Sequence, residues 1–147
     1  MRVFSYLCIL LLLKDVQYEY YNSGEISVEK NYFAQRILSV LMQVRWRERF
    51  FPANYRSKRL SEENKPSLDA FSDVLEVSEN NNGIYLLIPL IADFGMPLKS
   101  NTSDLIKDIF LEFGKMNVPI KKITIHIVGV KSKHIAPRNI KFTVNRK

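Results

Sequence analysis

A single cysteine, Cys8, among 147 residues excludes an internal disulfide and any cysteine-based zinc site, and it fits a reducing compartment. Histidine is almost as scarce. His126 and His134 lie on either side of Gly129, and no acidic third ligand is spaced to join them at a metal. The five glycines form no phosphate-cradling loop, and no serine sits in a nucleophile elbow. Asp93 or Glu112 with His126 are the groups acid–base chemistry would need, yet nothing in their spacing brings them together. No catalytic residue, metal ligand or cofactor is therefore assigned.

Long hydrophobic runs are missing too. The apolar stretch Val3–Leu13 is interrupted by Ser5, and as a helix it reaches about 16 Å against a hydrocarbon core of about 30 Å. It follows Met1-Arg2 as a signal peptide would, but Lys14–Tyr20 lacks the small-residue pattern of a cleavage site. The leader before Cys8 is too short for a lipoprotein. The reading adopted is a buried segment packed on the domain, or a start codon set too far upstream; a short membrane-dipping segment is the alternative.

What the chain does contain is enough apolar residue for one core, 46% of a length that suits one domain, with an ordinary 25% charged. Its net charge of +7 is unevenly placed. Residues 1–44 are balanced, residues 45–60 carry +5, residues 61–130 carry −4, and residues 131–147 carry +6 with no acid. Two basic segments thus flank a mildly acidic middle. Such a distribution argues for acidic partner surfaces and says nothing of fold.

Along the chain, Phe33, Ile37, Val40, Leu41 and Val44 recur at helical spacing, predicting a helix over about 28–44, or on to Arg49, with Ser27 as its N-cap. Arg45-Trp46-Arg47-Glu48-Arg49-Phe50-Phe51-Pro52 follows, then Tyr55, Arg56, Lys58 and Arg59. Arginines interleaved with aromatics suit single-stranded nucleic acid or anionic lipid. They equally suit a helix C-terminus that favours cations, with aromatics covering the core edge. Residues 60–73 read as a polar loop or short helix. A short strand at 74–78, an Asn-Gly turn at 79–83 and a strand at 84–93 then form a hairpin, with Pro89 marking an edge, bulge or bend. A second amphipathic helix is expected over about 104–116, with Asp104 among its candidate N-caps. Ile123, Ile125 and Ile127 alternate with Thr124, His126 and Val128, so a strand buries one face and turns His126 away from the helices. In the basic tail, Ile140, Phe142 and Val144 permit a last edge strand. The expected fold is α+β and two-layered, β-α-β-β-α-β-like, with a small mixed sheet under two helices. A single domain spans 24–130, with an N-terminal extension at 1–23, a basic loop at 45–73 and a basic tail at 131–147.

Gly24-Glu25-Ile26-Ser27-Val28-Glu29, the asparagine-glycine turn into Ile84–Gly95, the link Asn117-Val118-Pro119 and the strand Ile123–Val130 with its Gly129 together resemble the alkaline-shock, or envelope stress response, protein family. The resemblance covers about residues 24–44 and 74–130. It departs from the family in the long basic loop, in Pro89 and in helices without alanine-rich faces. It implies a small cytoplasmic non-enzymatic protein of Gram-positive-type bacteria, which serves cell-envelope homeostasis. It also implies a protein partner anchored in the membrane, and self-association. No active-site residue carries over.

Two functions follow as expectations. The first is an adaptor or scaffold working through protein contacts near the inner membrane face. The second is a nucleic-acid-binding module using the basic aromatic patches. For either, or for an anionic membrane surface, the candidate contact residues are Arg45, Trp46, Arg47, Arg49, Arg56, Lys58, Arg59, Lys131, Lys133 and Arg138.

Overall fold

The structure, a computed structural model, describes residues 23–54, 59, 61–62 and 65–146. The apolar run at 3–13, Cys8, Arg56 and Lys58 lie outside the described residues. Helix α1 (Ser23–Leu41) leads to strand β1 (Phe50–Pro52), the two-residue strands β2 (Ser61–Glu62) and β3 (Lys65–Pro66), and helix α2 (Leu68–Val74). Then come β4 (Glu76–Asn80), β5 (Gly83–Asp93), α3 (Leu98–Gly114), β6 (Ile120–Lys131) and β7 (Ile135–Asn145). The fold is α+β, as expected.

β5 is the hub of a five-stranded mixed sheet. On one side, β4 pairs antiparallel with its first half, Gly83–Leu87, and β1 pairs antiparallel with its second, Leu90–Ala92. On the other side β6 runs parallel, with α3 as the crossover a parallel pair requires. β7 closes the sheet antiparallel to β6. Pro89 falls between the two partners of β5, the place in a central strand where a missing N–H costs least, and its carbonyl accepts from Ala53 N at 3.4 Å.

Alternation sets the faces. Ile84, Leu86, Ile88, Leu90 and Ala92 of β5 join Ile123, Ile125 and Ile127 of β6 in one core with Phe33, Ile37, Val40 and Leu41 of α1 and Leu105, Ile106, Ile109 and Phe113 of α3. Phe71 of α2 completes it, so three helices rather than two cover the sheet. Each such side chain contributes about 1.5–3 kcal/mol by leaving water. On β7, Ile140, Phe142 and Val144 sit opposite Ile127, Ile125 and Ile123 and are half-buried on the same face. On the far face, Ala53, Ile91 and Val128 form a second, small cluster with Phe51 and Ile135.

Several expectations are corrected. The first helix begins at Ser23, so Ser27 lies inside it and is no N-cap. The helix expected from Asp104 starts at Leu98, capped by Pro97 without a side-chain bond, because Phe94–Pro97 already turns the chain. Residues 60–73 hold β2 and β3 as well as most of α2. The hairpin turn is as expected, with the positive φ of its Asn-Gly pair falling on Gly83, at 139°. A Cβ at Gly83 would lie 2.7 Å from the Pro119 carbonyl oxygen. The segment set apart as a basic tail carries β7, so a boundary at 130 would cut through the sheet.

Candidate functional site

Pro52 and the β1 ladder turn the first basic segment back onto the helices. Trp46 is 0% exposed, its ring tilted against Phe50 at 5.7 Å. The indole Nε1 donates to Asp108 Oδ2 at 2.7 Å, which satisfies the one polar group a buried tryptophan brings. Arg45 lies over the same ring at 4.5 Å and donates to Asp104 at 3.1 Å and Asp108 at 3.5 Å. Arg49 donates to Asn101 Oδ1 at 2.7 Å. Trp46 and Phe50 therefore belong to the core and present no ring to a partner. Arg45 and Arg49 are exposed tethers to α3, and Arg47 is exposed beside them.

Phe51 turns the other way. Arg59 stands 4.2 Å from its ring centroid and Lys131 stands 5.7 Å from it. The two basic segments, far apart in sequence, meet at this half-buried ring. Lys133 and Arg138 are exposed further along the β6–β7 hairpin. The candidate cations thus fall into two groups, one against α3 and one around Phe51 and the hairpin.

The edge strand that Ile140, Phe142 and Val144 permitted is β7, and sequence reasoning gave its outer edge no role. The last acid in the chain is Glu112, so both strands of this hairpin carry only cations. Arg146 N donates to Lys121 O at 2.7 Å, which marks that pair as hydrogen-bonded. In an antiparallel ladder hydrogen-bonded and non-hydrogen-bonded pairs alternate. Ile140, Phe142 and Val144 therefore point their backbone groups toward β6, while Lys141, Thr143 and Asn145 point theirs outward. The side chains of the outward pairs meet closely on the far face, as such pairs do: Thr124 Oγ1 lies 2.9 Å from Thr143 Oγ1. His126 stands opposite Lys141 on that face, and its Nε2 is 2.7 Å from Asn139 Oδ1.

On the helical side, a groove of about 980 Å³ runs between β7 and α3, lined by Phe110, Leu111, Lys115, Val144 and Arg146 among others. Leu111 is 65% exposed there. The acids in this groove are engaged: Glu112 with Arg36 and Lys115, Asp108 with Trp46 and Arg45. Glu112 lies on the helical side of the sheet, His126 lies on the far face, and Asp93 accepts from Gly95 N, so the three groups weighed for acid–base work stand apart. Tyr32 has its phenol pushed above the usual tyrosine range by burial, an effect opposed by Arg36 and reinforced by Glu112.

Comparison of the chain with protein families, with curated proteins and with solved structures gave no match. Among the described residues no helix is long and apolar enough to cross a membrane.

Proposed function

We propose that the chain is a non-enzymatic adaptor of the envelope stress response type, acting in the cytoplasm near the inner membrane face through a membrane-anchored protein partner. The observation that carries this reading is the acid-free β6–β7 hairpin, which ends the sheet in an 11-residue strand whose outer edge has no partner among the described residues. Protein-binding modules use such edges, because the backbone supplies affinity and flanking side chains supply specificity. The test is co-sedimentation of the purified chain with membranes from its native cell. An adaptor binds untreated membranes and loses them once their surface proteins are removed by protease. Retention on protein-free anionic vesicles, or recovery only as a soluble monomer, would overturn the reading.

The nucleic-acid reading keeps one observation in its favour: Phe51 flanked by Arg59 and Lys131, an aromatic with two cations at hand for a stacked base. It loses Trp46 and Phe50, which are buried. RNA and single-stranded DNA titrations over a salt series decide it, since phosphate contacts weaken steeply as salt rises.

A further inference from the structure

The adaptor reading leaves open what the partner offers to the sheet. We infer that the outer edge of β7 accepts an extended peptide strand in which acidic and apolar residues alternate. This inference rests on the adaptor reading and names the chemistry of the partner.

Three features of the edge converge on that occupant. The first is the backbone. Lys141, Thr143 and Asn145 direct N–H and C=O groups away from β6, so a strand laid alongside finds a ladder already extended and in register. The second is the groove on the helical side. Side chains of an added strand that point toward the helices meet Phe110, Leu111 and Val144, which favours apolar residues at every second position. The third is charge. Side chains pointing to the far face meet Lys141, which is in no ion pair among the described residues. The intervening positions are therefore best filled by Asp or Glu.

Charge also argues against a second copy as the occupant. Two β7 edges paired with each other would bring two cationic strands together with no acid between them. Edge lysines, prolines and bulges each guard sheets against aggregation. Here Pro137 and the register shift lie at the far end, opposite Gly129, and the run from Ile140 to Asn145 is regularly paired.

The test titrates the full chain into a fluorescein-labelled ten-residue peptide of alternating glutamate and valine, followed by anisotropy at low salt. A peptide of the same composition, with all glutamates in one half, serves as the charge control. The alternating peptide is expected to bind at least tenfold more tightly, because only it offers a ladder with one acidic and one apolar face. Thr143→Pro removes an N–H that points outward and leaves the β6 ladder whole. It is expected to weaken binding by about tenfold, the usual scale of one buried hydrogen bond left unmade. Thr143→Val, which keeps the N–H, is expected to bind as the parent does. Should Thr143→Pro fail to fold, hydrogen exchange on the parent gives the same answer, with the Lys141 and Thr143 amides protected by peptide. Equal binding of the two peptides, unprotected amides, or a dimer of the parent that Thr143→Pro dissolves would each overturn the inference. Protease-sensitive membrane binding that survives in Thr143→Pro would leave the adaptor reading standing and remove the edge from it.

Discussion

Replacing Trp46 with phenylalanine separates its two candidate roles, core residue and partner contact. The structure gives the indole two stabilising functions. Its Nε1 donates to a carboxylate at 2.7 Å, and its double ring fills space beside Phe50 with no exposure to water. A hydrogen bond to a charged group is worth about 1.5–3 kcal/mol. Asp108 is 23% exposed and shares Arg45 at 3.5 Å, so solvent and the arginine support it after the loss, and the lower end, about 1.5 kcal/mol, applies here. The smaller ring leaves a cavity worth about 1 kcal/mol more. The variant should therefore lose about 2–3 kcal/mol, a fall in Tm of roughly 6–9 °C at this chain length. Urea and thermal melts by far-ultraviolet circular dichroism measure both. A double-mutant cycle with Asp108→Asn should return a coupling of about 1 kcal/mol or more. Because Trp46 is the one tryptophan, the parent's emission reports the same site. It should be blue-shifted, slow to quench with acrylamide and unmoved by single-stranded nucleic acid. A stability loss below about 0.5 kcal/mol, or emission quenched by oligonucleotide, would refute the placement of Trp46 in the core.

Gly129→Ala places a Cβ 2.9 Å from Ile135 Cγ2 and 3.3 Å from the Ala136 carbonyl oxygen, at the bulge where β6 and β7 shift register, so it should cost about 1–3 kcal/mol in denaturant melts. Arg45→Ala should cost no more than about 1 kcal/mol, because its two ion pairs are half-exposed. Tyr32 has a folded-state pKa above its unfolded one, so the folded state holds the phenolic proton more tightly. That contribution is present below the ordinary tyrosine value of about 10 and is lost as pH rises through the higher folded value. Tyr32→Phe should therefore flatten the alkaline limb of a stability–pH profile and leave the neutral region unchanged in slope. Salt should raise the Tm of the free chain, since the cations of β6 and β7 repel one another, and a thermal melt series in sodium chloride checks the sign.

Much of this fold was legible because its signals are local. The alternation of Ile123, Ile125 and Ile127 fixed which face of β6 is buried, and it placed His126 on the far face where the structure has it. Helix spacing found the apolar stripes of α1 and α3. Their ends were misplaced where the cap is not a polar side chain: α3 begins after Pro97, and Asp104, a good N-cap in isolation, lies inside the helix and pairs with Arg45. The functional surface was less legible, since arginine beside tryptophan reads alike whether the ring faces water or core. Only the tertiary partner Asp108, distant in sequence, decides that Trp46 turns inward. The meeting of Arg59 with Lys131 around Phe51 is likewise a property of strand order, because β1 and β6 flank β5 from opposite sides. The β7 edge did leave a trace in the sequence, in the alternation of Ile140, Phe142 and Val144 within a stretch that lacks acids.

The two basic segments share a sign of charge but serve different ends. In the first, the cations nearest the helices are consumed by the fold: Arg45 answers Asp104 and Asp108, and Arg49 answers Asn101. Their worth is positional, since they hold the chain over Trp46 as it turns into β1. In the second, no cation of β7 is in an ion pair among the described residues, and neither strand of the hairpin carries an acid. A sheet under no demand but stability would gain from an acid opposite Lys141, because opposite charges across strands are favourable and like charges are not. Instead His126 faces it. Repulsion maintained along an edge whose backbone has no partner among the described residues is a cost to the free protein, and an acidic strand is the partner that would turn it into affinity.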